Sequence, residues 1–130
     1  MSRKIDSIIK DIEKNKALTG NSLELLVKEY GERFWRAIRA VSERAVKKYT
    51  FQPSGQIVWI VVGKTRDYLI SLEDRYCTCD DFYVNVVLKK NSDVCYHVLA
   101  KILAEIMELY NTYTVDDERY PNMMEEWKQI

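Results

Sequence analysis

The chain has 130 residues, of which 47% are hydrophobic and 31% charged, and its basic and acidic side chains are equal in number. This composition suits one domain with a core of its own. It argues against a membrane protein, because the longest apolar run, Ile57 to Val62, cannot span a bilayer. The charge is uneven: residues 1–50 hold 12 basic and 7 acidic residues, whereas residues 51–130 hold 8 and 13. Proteins that coat nucleic acid are usually basic throughout, so this balance favours a protein partner, or DNA contact confined to the first fifty residues.

Helical periodicity runs through the first fifty residues. Isoleucines at positions 5, 8, 9 and 12 predict an amphipathic helix over about residues 3–15. Asn21 and Glu24 resemble a capping box at the start of a long second helix, although Gly31 weakens its continuity. The apolar stripe of this second helix consists of Leu23, Val27, Tyr30, Phe34, Ile38, Val41 and Ala45.

The middle of the chain predicts a small antiparallel sheet. Pro53-Ser54-Gly55 opens a turn, and the next residues are rich in β-branched and aromatic side chains. Strands are predicted over residues 56–62, 67–72 and 75–78, and their short connections imply antiparallel neighbours.

A last helix is predicted after Asp93, which is well placed to cap it. Lys101 is expected on its polar face. The pattern as a whole predicts an α+β fold with two N-terminal helices, a three-stranded antiparallel sheet and a C-terminal helix. Residues 82–88 fit either a strand or a helix, and residues 112–130 show no clear period.

All three cysteines and the only histidine fall in one stretch, as Cys77-x-Cys79 and Cys95-x-His97. Three thiolates and an imidazole fill the tetrahedral shell of Zn²⁺ and leave no position for water, which predicts a structural site. Cys77 and Cys79 would point the same way at a strand end. Cys95 and His97 can share the ion if Cys95 lies at a helix entry and His97 in its first turn.

Cysteines that serve as metal ligands indicate a reducing compartment. The amino terminus also has no apolar core followed by a small-residue cleavage site. We therefore expect a cytoplasmic protein, or a nuclear one in a eukaryote.

The stretch Cys77-Thr78-Cys79-Asp80-Asp81-Phe82, followed by Cys95-Tyr96-His97-Val98-Leu99-Ala100, resembles a SWIM zinc finger. That family has C-x-C, a variable insert and C-x-H, preceded by a β-hairpin, and the resemblance covers roughly residues 56–105. It implies that Cys77, Cys79, Cys95 and His97 bind zinc. It also implies a module that binds DNA or protein and is not itself catalytic.

One branch of the family consists of small proteins, the SWIM subunits of Shu complexes and similar archaeal proteins. This branch has an alanine three residues after the histidine, and Ala100 occupies that position here. Its members partner RecA-family recombinase paralogues in homologous recombination. The resemblance therefore implies such a protein partner, with single-stranded DNA reached through the complex.

The predicted organisation has three parts: a helical segment over residues 1–50, a SWIM zinc-binding module over residues 56–110 and an acidic aromatic tail over residues 111–130. No enzymatic function is predicted, because the chain has no Gly-rich phosphate loop and its only histidine belongs to the zinc set.

Direct DNA binding is the alternative function. On one long helix, Arg33, Arg36, Arg44 and Lys47 would project within a sector of about 80° and could contact phosphates. Glutamates four residues before Arg33, Arg36 and Lys47 would neutralise much of this face. A solvated, salt-bridged surface is therefore the simpler interpretation.

Two tryptophans are candidate partner contacts, because tryptophan is enriched in interface hot spots. Trp35 lies at the rim of the predicted apolar stripe and is either the margin of the core or an anchor for a partner. Trp127 lies in the tail, which is either a strap across the core or a docking segment.

Overall fold

The structure is a computed structural model that describes residues 3–15, 18–71 and 76–128. None of its described helices is both long enough and apolar enough to cross a membrane. In chain order the elements are α1 (Lys4–Asn15), α2 (Gly20–Tyr30), α3 (Glu32–Ser42), β1 (Val46–Gln52), β2 (Gln56–Val62), β3 (Asp67–Ile70), a π-helix (Phe82–Leu88), α4 (Tyr96–Met107), β4 (Asn111–Asp116), a 3₁₀ turn (Asp117–Arg119) and α5 (Tyr120–Lys128).

The predicted α+β class is confirmed, but the sheet in the described part of the chain has four strands, in the order β3-β2-β1-β4. The β1–β2 and β2–β3 pairs are antiparallel, whereas β4 runs parallel to β1. Residues 72–75, which include the end of the predicted second strand and the first residue of the predicted third strand, lie outside the described residues. The third strand was predicted over residues 75–78. Its last residues make a single bridge, between Ile70 and Cys77, at the edge of β3.

The prediction of one long helix from residue 21 to residue 45 is wrong, because Gly31 divides it into α2 and α3. Gly31 has φ +53° and ψ −120°, a conformation that only glycine adopts without strain. The amino-terminal cap of α2 also differs from the prediction. Thr19 and Ser22 form a reciprocal capping box, with the Thr19 hydroxyl accepting from the Ser22 N–H at 3.1 Å.

Strand β1 lies where the sequence predicted the end of that helix. Helix α3 ends at Ser42, and Arg44 takes a left-handed φ of +57°, which reverses the chain into the sheet. Val46 and Phe51 are then buried on opposite faces of the strand. The apolar stripe of α3 extends to Ala45, directly before a strand in which two half-buried lysines, Lys47 and Lys48, obscure the alternation.

Two cores lie on opposite faces of the sheet. The larger core packs the helices α1, α2, α3 and α4 against one face, through residues such as Phe34, Trp59 and Leu103. The smaller core lies under α5, where Trp127 packs with Phe51 and Ile60. The tail therefore takes the form of a strap over the second face.

Two polar residues near α4 differ from their predicted positions. Asp93 does not cap α4; its carboxylate accepts hydrogen bonds from the Ile5 N–H at 3.0 Å and the Tyr30 hydroxyl at 3.1 Å, and so joins α1 and α2 to the start of α4. Lys101 is buried rather than exposed, because its ammonium lies over the Trp59 ring and donates to Glu105 at 2.8 Å.

Replacing Gly31 tests the helix break. Gly31→Ala should lower the free energy of unfolding by about 1–3 kcal/mol, because alanine is strained at this φ and ψ. The control is Gly20→Ala, at the first residue of α2, where an added Cβ meets nothing within 4 Å. Urea unfolding should show a loss for the first variant and none for the second, and equal stability of both would contradict the role of Gly31.

Candidate metal centre

The four residues predicted as ligands come together in the structure. One ligand atom from each of Cys77, Cys79, Cys95 and His97 lies within 4.8 Å of all the others. All four side chains are buried, with relative exposures between 0% and 6%. The cluster joins two distant parts of the chain, the edge of the sheet and the start of α4.

The C-x-C pair lies beside strand β3. Cys77 bridges Ile70, and the Thr78 hydroxyl accepts from the Leu69 N–H at 3.1 Å, so Thr78 faces the strand and its two neighbours face the cluster. The Sγ of Cys79 accepts a hydrogen bond from the Phe82 N–H at 3.3 Å. This N–H···S bond connects the cluster to the first residue of the π-helix.

The C-x-H pair has the geometry that the spacing requires. Cys95 is the N-cap of α4, with extended dihedrals (φ −90°, ψ 172°), and its Sγ accepts from the Val98 N–H at 3.4 Å. His97 is the second residue of the helix. The Val98 N–H and the positive end of the helix dipole favour a thiolate at Cys95, an effect that burial of the sulfur outweighs.

The His97 ring is buried without a hydrogen-bond partner among the described residues. The ring contacts two tyrosine rings at tilted angles, Tyr68 at 4.1 Å and Tyr96 at 3.9 Å between centroids. Both ring nitrogens are buried, and neither has a hydrogen-bond partner in the described part of the chain. An unsatisfied buried polar group costs about 1–3 kcal/mol, and a metal ion bound through one nitrogen would remove part of that cost.

The thiols interact strongly. Hydrogen bonds to Cys79 and Cys95, together with burial, raise the pKa of Cys77. Burial raises the pKa of Cys95 to about 12, whereas hydrogen bonds from Cys77 and Cys95 lower the pKa of Cys79. Three buried sulfurs hold only one negative charge easily unless a cation is present. A divalent cation would displace the remaining protons, as metal binding to cysteine does.

The residues fit Zn²⁺. Three sulfurs and one imidazole nitrogen are the ligands of a closed Cys₃His site, and the full protein shell suits a structural ion. The N–H···S bonds from Phe82 and Val98 are the supporting contacts that orient thiolate ligands.

Comparison with known proteins supports this interpretation. No protein-family model matches the chain. Over 125 residues, 93% of this chain and 80% of the relative, it is 30% identical to a zinc finger SWIM domain-containing protein 7 homolog of Dictyostelium discoideum. The chain belongs to the zinc finger SWIM domain-containing protein 7 family. The human protein of that name is 26% identical over 96 residues, which are 73% of this chain and 68% of that protein. An uncharacterised protein of Archaeoglobus fulgidus is 32% identical over 118 residues, 86% of this chain and 91% of the relative.

The predicted SWIM zinc finger is thus confirmed, and the similarity extends well beyond residues 56–105. Ala100, which the SWIM resemblance singled out, is fully buried in α4. Helix α4 packs against α3 as well as against β2 and β3. A small side chain at Ala100 suits this crowded position.

The four basic residues predicted as one helical stripe are divided among different elements. Arg33 and Arg36 are on α3, Arg44 follows that helix, and Lys47 is on β1. Arg33 makes a two-pronged ion pair with Asp81, at 3.1 and 3.3 Å, and so binds α3 to the start of the π-helix. It is therefore not part of a free basic surface.

The remaining three basic residues meet in a groove that sequence reasoning missed. This basic groove, of about 450 Å³, is lined by Arg36, Arg44 and Lys47 together with two further cations and the Tyr96 ring. The additional cations are Arg39 and Lys64. No helical period could reveal it, because the fold brings α3, β1 and the β2–β3 turn together.

Of the acids expected to neutralise these cations, Glu29 pairs outside the groove and Glu43 pairs with one cation within it. Glu29 contacts Lys4 at 2.9 Å, and Glu43, the one carboxylate that lines the groove, contacts Arg39 at 3.1 Å. Arg36 lies over the Tyr96 ring at 5.2 Å. The groove is therefore strongly positive.

The two predicted tryptophan contacts differ in accessibility. Trp127 is only 6% exposed, because it packs in the core beneath α5 and against the Tyr49 ring. It is not available to a partner in this conformation. Trp35 is 56% exposed, with its ring edge-on to Phe34.

A second exposed surface is formed by the insert of the SWIM motif and by Tyr76, the residue before Cys77. We call it the apolar ridge: Tyr76, Tyr83, Val87 and Leu88, each between 47% and 59% exposed. In a π-helix, residues four and five apart share a side, which brings Tyr83, Val87 and Leu88 together. The apolar composition of residues 82–88 predicted a strand or a helix, but it did not predict an exposed surface.

Removing zinc tests the structural role of the cluster. Zinc binding in small modules is worth roughly 10–16 kcal/mol, part of which becomes folding free energy. A strong chelator should lower the melting temperature and increase amide exchange over residues 56–110. Unchanged melting and circular dichroism after verified zinc loss would contradict a structural site.

Substitutions should reproduce the effect of the chelator. Cys95→Ser should reduce the zinc content measured by elemental analysis and lower the melting temperature. The matched control is Asp80→Asn, at an exposed carboxylate directly after Cys79 and outside the cluster, which should retain one zinc per chain.

Proposed function

We propose that this SWIM protein is a non-catalytic adaptor that binds a recombinase-like ATPase, a RecA-family paralogue, in homologous recombination and DNA repair. The family assignment and the closed, buried ligand cluster support a binding role. The names of the relatives describe a zinc finger and no reaction. An intracellular location, cytoplasmic or nuclear, belongs to the same proposal, because the cysteines must stay reduced.

The observation that carries the proposal is the apolar ridge and its connection to the metal centre. Leu88 is 59% exposed and Val87 47% exposed on a short π-helix. Apolar side chains that are this exposed contribute little to the stability of an isolated chain. The Phe82 N–H bond to Cys79 and the ion pair of Arg33 with Asp81 hold the start of that helix in place. A pre-positioned apolar surface of this kind is typical of protein interfaces.

Affinity purification from native extract, with mass spectrometry of bound proteins, tests the adaptor. A RecA-family ATPase should co-purify with the wild-type chain. Tyr83→Ala with Leu88→Ala should reduce its recovery at least tenfold, because exposed aromatic and aliphatic anchors dominate such interfaces. Recovery of no RecA-family protein would count against the proposal.

Two controls separate the ridge from general damage. Leu25→Ala removes a side chain on α2 that is 46% exposed and should leave recovery unchanged. Zinc content and melting temperature should match the wild type in every variant. Equal loss of partner in both variants would show that the ridge has no special role.

Direct DNA binding is the second candidate, and the basic groove favours it. Five basic side chains and one carboxylate line the groove, and no ion pair to Arg36, Arg44, Lys47 or Lys64 occurs within the described chain. The exposed cations can contact phosphates, and an aromatic ring at the groove, Tyr96, can stack on a base.

Fluorescence anisotropy with labelled oligonucleotides measures this activity. Arg36→Glu with Arg44→Glu should abolish binding, and wild-type affinity should fall steeply with salt, since each phosphate contact on a single strand contributes about 0.7 to the slope. Lys28→Glu, on the exposed side of α2, is the matched charge reversal and should bind almost normally. Salt-independent affinity, or equal loss in the control, would exclude the groove.

A further inference from the structure

His97 lacks the contact that usually directs a metal-binding imidazole. Such a histidine almost always donates its second ring N–H to a carboxylate, a backbone carbonyl or water, and this hydrogen bond sets the direction of the ring. His97 is only 3% exposed, and neither of its ring nitrogens has a hydrogen-bond partner in the described part of the chain. Among the described residues, the direction of the imidazole therefore depends on the rings that pack against it.

Two tyrosine rings make that contact, and they come from different parts of the fold. Tyr96 directly precedes His97 on α4, with 3.9 Å between the ring centroids, so Tyr96 moves with His97. Tyr68 lies on β3, where it pairs with Val61. Its ring centroid is 4.1 Å from that of the imidazole, with 32° between the ring planes. Tyr68 is thus held by the sheet, independently of the helix that carries His97.

The turn between β2 and β3 confines the Tyr68 ring. The Gly63 N–H donates to the Arg66 carbonyl at 2.9 Å and closes this turn. A Cβ atom added at Gly63 would lie 2.6 Å from Cε2 of Tyr68 and 2.7 Å from the Arg66 carbonyl oxygen, so only glycine leaves room for the ring. The Arg66 guanidinium lies over the same ring, 5.2 Å from its centroid. The turn therefore determines where Tyr68 can meet His97.

We propose that Tyr68 is a positioning residue of the metal centre. Its ring packs on the His97 imidazole and keeps one ring nitrogen directed at the three sulfurs, the task that a hydrogen bond to the second nitrogen performs in most metal sites. The β2–β3 hairpin thus contributes no ligand to the centre but orients one. This role does not depend on the adaptor function proposed above.

Zinc affinity, measured by competition with a chromophoric chelator, tests this role. Tyr68→Leu should weaken zinc binding about 10–100-fold, the usual cost of losing a contact that orients a ligand. Tyr68→Phe should bind zinc as the wild type does, because it keeps the ring that contacts His97. Equal weakening in the two variants would contradict a role for the ring.

The same substitution in a His97→Cys background separates positioning from general stability. Four thiolates still form a closed zinc site, but this variant has no imidazole to orient. Tyr68→Leu should then change zinc affinity less than about threefold, since the two substitutions act through one contact. An equal loss with and without His97 would show that Tyr68 only stabilises the fold, and would overturn the proposal.

The matched control is Tyr110→Leu. Tyr110 is also a half-buried tyrosine, but its ring packs edge-on to Trp59, at 5.0 Å between centroids, and not on a ligand. Any effect of this variant on zinc affinity should be the same with and without His97.

Cobalt substitution gives a second measurement that does not require the His97→Cys variant to fold. Co²⁺ bound by three thiolates and an imidazole has visible ligand-field bands, which shift when the nitrogen ligand is lost. The spectrum of cobalt-loaded Tyr68→Leu should move toward that of His97→Ala, whereas Tyr68→Phe and Tyr110→Leu should keep the wild-type bands. Wild-type bands in Tyr68→Leu would also overturn the proposal.

Discussion

The structure depends on one buried centre, in which four side chains join the edge of the sheet to the start of α4. Without a cation, the core contains three thiols with opposed pKa shifts and an imidazole whose two nitrogens have no partner. Burying such groups is unfavourable unless they are paired. The same sulfurs accept the N–H groups that begin the π-helix and α4. Binding of a metal ion at the centre and the positions of the π-helix and α4 should therefore depend on each other.

Because the metal centre is closed and its ligands are buried, a partner must bind the surfaces around it. The π-helical part of the apolar ridge starts at Tyr83, one residue beyond the Phe82–Cys79 bond. Tyr96, whose ring contacts His97, lines the basic groove. Residues that contact the zinc ligands thus hold both surfaces in place, although none of the ligands is exposed. A change in the metal centre should affect both surfaces at once, whereas a change on either surface should leave the centre intact.

The sequence allowed prediction of the ligands, the β2–β3 hairpin and the entry of α4, because spacing and β-branched runs encode these features locally. Strand β1 was missed because its lysines obscure the alternation, and because Ala45, directly before the strand, extends the apolar stripe of α3. Strand β4 was missed because an exposed edge strand buries little, so Thr112 and Thr114 carry no hydrophobic signal. The basic groove was not predicted, since its members meet only in the tertiary structure; the sequence pattern suggested a stripe on one helix instead.

The sheet also shows why the motif is smaller than the folding unit. In the register, β2 lies between β3, from the SWIM module, and β1, from the segment that precedes it. A chain restricted to residues 56–105 would leave the apolar strand β2 with one unpaired edge and without α3, against which α4 packs. Helix α5 then covers the second face through Trp127. The zinc centre fixes one side of a sheet that only the flanking segments complete, and for this reason the similarity to relatives extends over most of the chain.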